Sequence, residues 1–372
     1  MLHSHTHSHE DHDGHSHAHT HSSQSHPEPP VAPVPPSPPP PSLLSRPSLK
    51  SPNEPPRLTI PVARQNVDTL LHVSPPFLAA NLSTPFMPGP ARDAYFALMG
   101  LLLTLQRAAH PPPTASSAIS LASGTAAATA RLRLKFWRQT VQDIFSGKQP
   151  PAEPVAVMLA ESARTHAYTR GFFLRMVDTR LARVGDPPFA NVGAMAEFGE
   201  GAYSTMLYLL GESMPGGRAI ALEHVCSHIG RAMGVTEMLA DFSTAVERRR
   251  RVLLPVDVLA RYGLREEEVL NRVDLGDKAM RKRMQDAVFE VATHANDQLI
   301  TARTMLEEVV TQQGGRRKID DAMFAPVLTS VPVQAWLNKL EAVDFDVFDR
   351  KLKVKDWKMP WTMYWVHRRR SI

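Results

Sequence analysis

The stretch ALEHVCSHIGRAMGVTEMLADFSTAVERRRRVLLPVDVLARYGL, residues 221–264, decides how the rest of the chain is read. Apolar residues recur along it at helical spacing through Val225, Ile229, Ala232 and Met238, which predicts one long helix. That helix passes Asp241 and then four consecutive arginines, Arg248, Arg249, Arg250 and Arg251. It breaks at Val252-Leu253-Leu254-Pro255, and a short helix restarts before Tyr262-Gly263-Leu264. Side chains four residues apart on a helix share a face, so two carboxylates at that spacing aim hard oxygen ligands at one divalent cation. Asp241 is followed four residues later by Ala245, and the pair is broken.

Outward from this helix the composition is uneven. The 372 residues are 43% hydrophobic, enough for a core. Yet residues 1–62 hold 10 of the 17 His and 15 of the 33 Pro and almost no aromatic residue. Such a segment cannot bury enough apolar surface to offset its chain entropy, so 1–62 is expected to be disordered and 63–372 to form one domain. Within the tail, His3, His5, His7 and His9, then His15, His17, His19 and His21, alternate with other residues. Imidazoles at this density bind zinc, nickel or copper opportunistically, without a preformed geometry. Pro27 to Pro41 reads as a polyproline II spacer.

From about Pro90 the pattern is helical. Met195, Phe198, Ala202, Met206 and Leu209 step by three or four residues, and Met284, Val288, Val291, Ala295, Leu299, Ala302 and Leu306 do so across six turns. No run of strict alternation competes with them, so the class is all-α. Turns are expected at Gly185-Asp186-Pro187-Pro188, Pro215-Gly216-Gly217 and Gly314-Gly315, and the Ala/Ser/Thr/Gly-rich stretch up to Ala130 is expected to loop or fray. The longest apolar run, Phe96 to Leu105, is too short to span a bilayer and suits a buried helix. The single Cys226 excludes an internal disulfide and reads as a small buried hydrophobe. A net charge of +5, with no zinc knuckle or interleaved aromatic strands, gives no reason to expect a nucleic-acid partner.

Several segments agree, in order, with a known family. Arg131-Leu132-Arg133-Leu134-Lys135-Phe136-Trp137-Arg138 with Val141-Gln142-Asp143-Ile144-Phe145, then Thr169-Arg170-Gly171-Phe172-Phe173 leading to Val177-Asp178, then Glu197-Phe198-Gly199 to Leu209-Leu210-Gly211-Glu212, and the 221–264 stretch itself, resemble the squalene/phytoene synthases. Within that family Ser227-His228-Ile229-Gly230-Arg231-Ala232, Val252-Leu253-Leu254-Pro255-Val256-Asp257 and the ending Val343-Asp344-Phe345-Asp346-Val347-Phe348 look more like the branch of mitochondrial assembly factors for respiratory complex I. The resemblance covers roughly residues 75–370. It implies an antiparallel helical bundle around a central cavity, which in the family's enzymes holds prenyl chains with diphosphates at one rim. It also implies complex I subunits or other assembly factors as partners, and a place on the matrix side of the mitochondrial inner membrane. Mitochondrial import rests on this resemblance alone, because Glu10, Asp11 and Asp13 do not suit a transit peptide.

The departures carry equal weight. The resemblance puts the leading acid of the family's first Asp-rich helix at about Leu103, with Arg107 one turn later, and neither can hold magnesium. In the second motif only Asp241 remains, and about one extra residue precedes Pro255. The candidate anion or prenyl-diphosphate-like pocket is then Arg131, Arg138, Asp178, Tyr203, Asp241, Arg248 and Arg251, with no catalytic residue, no metal in the folded domain and no cofactor. Arg131, Arg133, Lys135 and Arg138 either neutralise an anionic head group or face water on an amphipathic helix. Asp178 and Asp241 read as salt-bridge partners. His224 and His228 have chelating spacing but no third ligand in sight.

At the C-terminus Lys351, Lys353, Lys355 and Lys358 meet Trp357, Trp361, Tyr364 and Trp365 before Arg368-Arg369-Arg370. That composition suits an anionic membrane surface, or a tail packed back on the bundle. The reading is a non-catalytic assembly factor on a prenyl-synthase fold. The alternatives are an active prenyl-diphosphate condensing transferase and a lipid carrier.

Overall fold

Helix α1 (Ile60–His72) starts on Pro61, whose fixed φ suits a first turn and whose missing N–H would be unpaired there anyway. It buries a narrow stripe, Ala63, Val67 and Leu71, and is followed by the short α2 (Ala80–Ser83). α3 (Gly89–Ala109), opened by Pro90, is buried on every side from Ala94 to Leu103, which makes it the core helix. In the computed structural model, residues 58–110, 125–271, 278–316 and 319–372 are described, and all lie in the compact unit Pro56–Ile372.

Around α3 stand α4 (Thr125–Phe145), α5 (Pro154–Thr165) and α6 (Arg170–Ala182). α7 (Val192–Gly199) runs through a π turn at Glu200–Ser204 into α8 (Thr205–Glu212). α9 (Glu223–Thr244), the helix expected from the 221–264 stretch, ends in a second π turn at Ala245–Arg249. A π turn widens the helix locally by one residue. Then come α10 (Val256–Arg261), α11 (Glu266–Asn271), the long α12 (Lys278–Gln312), α13 (Asp321–Phe324), α14 (Ser330–Ala342) and α15 (Met359–Arg369). No strand occurs among the described residues.

The α7–α9 crossing is set by glycine. A Cβ on Gly234 would lie 2.3 Å from the Cα of Gly199, and one on Gly199 would lie 2.5 Å from the carbonyl oxygen of Gly230. The two backbones touch there, which brings the polar residues of α9 deep into the bundle. Ser204 Oγ, at the end of the first π turn, donates to the Ser227 carbonyl at 3.0 Å and ties the same pair.

Three expectations shift. Helical structure begins at Ile60, ahead of both the 62/63 boundary and the Pro90 start of the periodic pattern, because the narrow stripe of α1 is diluted by polar neighbours. Thr125–Ala130 belongs to α4 instead of a loop. The expected turns at 185–188, 215–217 and 314–315 are present, with positive φ at Gly185, Asp186, Gly216, Gly217, Gly314 and Gly315. The histidine tract and the proline spacer lie outside the described residues.

Candidate functional site

The centre of the bundle holds a buried polar cluster. Glu237, on the face of α9 turned to α3 and α6, receives both terminal nitrogens of Arg180 at 3.0 and 3.1 Å. Gln106 of α3 donates to the same carboxylate at 2.7 Å and to the Tyr203 hydroxyl at 3.0 Å. The Arg180 guanidinium lies 5.4 Å from the ring centroids of both Phe198 and Tyr203. Burial pushes the Glu237 carboxyl upward, but Arg180, Gln106 and Tyr203 outweigh it and hold the group below the usual carboxylate range. Burial beside Glu237 drives the Tyr203 phenol well above its ordinary value. The cluster therefore holds Glu237 as a charged, interlocked carboxylate on the wall of a cavity.

Beyond the end of α9, in the second π turn, Arg249 forms a second cluster with Asp241, which lies one turn after Glu237. Arg249 Nε donates to Asp186 at 2.6 Å and its Nη2 to Asp241 at 2.7 Å. The π turn aims Arg249 back along its own helix, while the positive φ of Asp186 turns that carboxylate inward. His110 Nε2 lies 3.7 Å from the other Asp186 oxygen. Burial first, and then the Arg249 charge, keep that imidazole below its ordinary value. Between the two clusters opens a cavity of about 280 Å³, bordered by Phe77, Gln106, Arg107, Trp336 and Leu352.

The residues facing Glu237 and Asp241 are Gln106 and His110, four apart on one face, whereas Leu103 is buried in the core and Arg107 is exposed at the rim. On α9, Glu237 and Asp241 are themselves an acid pair one turn apart; reading forward from Asp241 to Ala245 misses it. A magnesium site does not fit these residues. Asp186 and Asp241 already share a tethered guanidinium, Glu237 is held by Arg180, and the remaining facing positions are an amide, an imidazole and Ala245. Among the described residues no group of three or more His, Cys, Asp or Glu is placed to hold a metal ion.

The structure gathers Tyr203 and Asp241 here and places the other candidate residues apart. Arg138 Nε pairs with Asp178 Oδ1 at 2.8 Å on the surface. Arg131 is exposed on α4, and its neighbour Arg133 lines an open recess with Leu132, Phe136 and Arg107. Arg248 and Arg251 are exposed, while Arg250 adopts the left-handed conformation and donates to the Leu270 carbonyl. His228 Nδ1 lies 2.7 Å from Gln298 Oε1. Sequence reasoning passed over Gln106, His110, Arg180, Asp186, Glu237 and Arg249 as site residues. Only the Glu237–Asp241 spacing carried a local signal; the other partners come from distant segments.

The all-helical bundle has the isoprenoid synthase fold. The chain belongs to the squalene/phytoene synthase family, whose pattern matches residues 79–358. Among solved structures, a dehydrosqualene synthase in complex with ligand superposes with TM-score 0.64 at 13% identity, covering 82% of this chain and 96% of that one. Squalene synthase HpnC from Alicyclobacillus acidocaldarius superposes with TM-score 0.56 at 10% identity over 77% and 95%. At such identities these likenesses show the fold. In sequence the chain is similar to "NADH dehydrogenase (ubiquinone) complex I, assembly factor 6" of Bos taurus, 31% identical over 63% of this chain and 64% of the relative. The protein of that name from Homo sapiens is 29% identical over the same shares, and the Drosophila melanogaster homolog is 26% identical over 63% and 66%. The chain thus matches a little under two thirds of the length of these relatives.

Proposed function

We propose that this protein is an assembly factor for respiratory complex I that has kept the synthase fold without prenyl condensation. The observation that carries the reading is Arg249, which spans Asp186 and Asp241 at 2.6 and 2.7 Å. A guanidinium fixed between two carboxylates supplies the positive charge that a divalent ion would otherwise bring, and it cannot coordinate a diphosphate oxygen as a Lewis acid. The relatives named as complex I assembly factors supply the direction of the proposal. Complex I subunits or other assembly factors are the proposed partners. The proposed place is the mitochondrion, peripheral to the inner membrane on the matrix side. No helix among the described residues is long and apolar enough to cross a membrane.

Two measurements test this. Removing the protein from cells should lower the amount of assembled complex I, and the protein should co-purify with complex I subunits or other assembly factors. Unchanged, fully assembled complex I would sink the assembly reading. Separately, purified protein with magnesium and farnesyl or geranylgeranyl diphosphate should release no squalene or phytoene. Metal-dependent product would restore the condensing transferase.

A further inference from the structure

The last helix and the segment before it expose what a folded chain normally hides. Trp357, Trp361 and Trp365 recur every fourth residue and are 76%, 65% and 52% exposed, with Tyr364 at 47% and Val354 at 62% beside them. Soluble surfaces rarely gather large apolar side chains in this way. These residues are not a loosened part of the core, because the opposite face of α15 is firmly seated. Met359 and Met363 are buried, His367 Nε2 lies 3.0 Å from Asp321 Oδ1, Arg370 also donates to Asp321, and Arg303 Nε donates to the Ile372 carbonyl at 2.5 Å. The helix presents its aromatic face from a fixed platform.

Cations frame that face. Lys351, Lys355, Lys358, Arg368 and Arg369 are all exposed, against a single acid, Asp356, in residues 350–370, while Lys353 borders the cavity between the two polar clusters. Lys358 Nζ lies 5.5 Å from the Trp357 ring and the Arg369 guanidinium 5.7 Å from the Trp365 ring, one at each end of the helix. Lys355 Nζ donates to the His72 carbonyl at 2.6 Å, next in sequence to the exposed Val73 that follows α1. Indole rings favour the glycerol level of a bilayer, and amines beside them meet the phosphates just above. A protein partner of acidic character would satisfy the cations but not four exposed rings in a row. The charge and the rings together fit an anionic lipid surface.

We infer that α15, with the Val354–Lys358 segment before it, is an interfacial anchor that lies flat on anionic lipid and inserts Trp357, Trp361 and Trp365 to the headgroup boundary. The inference deepens the proposed function by naming the lipid class and the face that meets it. Full-length protein should bind vesicles of 70% phosphatidylcholine and 30% phosphatidylglycerol at least about tenfold more tightly than pure phosphatidylcholine, since each cation near the surface contributes up to about fivefold. Raising sodium chloride from 50 to 500 mM should erode that difference. Replacing Lys351 and Lys358 by Gln should cost about tenfold at low salt. Trp361→Ala with Trp365→Ala should cost about tenfold even at high salt and leave the melting temperature unchanged, because both side chains are exposed. Brominated lipids should quench the tryptophan fluorescence. Equal binding to neutral vesicles, or undiminished binding by the Trp double variant, would overturn the inference. If vesicles are not bound while complex I subunits still co-purify, the lipid inference falls and the assembly reading stands.

Discussion

Arg249 is the residue on which two carboxylates depend, and its loss would leave both without their shared cation. Arg249→Met should destabilise the folded chain by about 3 kcal/mol, the range expected when one member of a largely buried ion pair is removed. Chemical denaturation of the two proteins measures it, and a loss below about 1 kcal/mol would show that Asp186 and Asp241 are solvated after all. His110 beside them gives a pH signature. Its folded-state value lies below the ordinary 6.5, so the unfolded chain takes up the proton first. Stability from this group is therefore complete above about pH 6.5 and falls as the solution is acidified from there, by at most about 1.4 kcal/mol per pH unit. His110→Gln should make the stability profile between pH 7 and 5.5 less steep; an unaltered slope would assign it to other groups, His367 first among them.

At the scale of elements, the α7–α9 crossing makes a sharp demand. Alanine favours a helix over glycine by about 1 kcal/mol, yet a Cβ at position 234 would enter the space of the Gly199 backbone. Overpacking costs typically 1–3 kcal/mol, so Gly234→Ala should be net destabilising and Gly89→Ala, which meets nothing, should not. A stabilised Gly234→Ala protein would mean that the helices separate easily. The same crossing explains what was readable beforehand. The apolar periods of α9 and α12 announce themselves in sequence because each helix must bury a stripe against its neighbours. The facing of Gln106 and His110 does not, because a side chain's partner across a bundle depends on helix rotation, and a shift of three residues along α3 leaves its all-round apolar pattern almost unchanged. Arg249 was visible as one of four arginines, but its selection comes from a π turn that no residue pattern encodes.

For the molecule as a whole, acid is the expected weakness. Glu237 and Glu200 are held below the ordinary carboxylate value by their arginine and hydroxyl partners in spite of burial. Groups of this kind contribute stability above about pH 4.5 and lose it as the pH falls through their folded-state values. A cooperative loss of near-ultraviolet circular dichroism below about pH 4 should follow, and it should arrive at higher pH in Arg180→Met, where the Glu237 carboxylate has lost its main partner. An acid transition unmoved by that change would place the controlling carboxylates elsewhere. The helical class and the relation to the prenyl synthases could be read from spacing and segment order. The buried polar cluster could not, since it joins residues from α3, α6, α7 and α9 that lie up to 131 positions apart.

One consequence of the packing lies in time. Cys226 is the single cysteine of the chain, sealed inside α9, with burial pushing its thiol up to about 12. A thiol reagent in solution therefore waits for the bundle to open, and the interval before it reacts is a stopwatch on that opening. Read against a small free thiol, the delay converts directly into the rarity of the open state, at a single known depth and without attaching any foreign label. A loss of about 3 kcal/mol would shorten the wait by roughly a hundredfold.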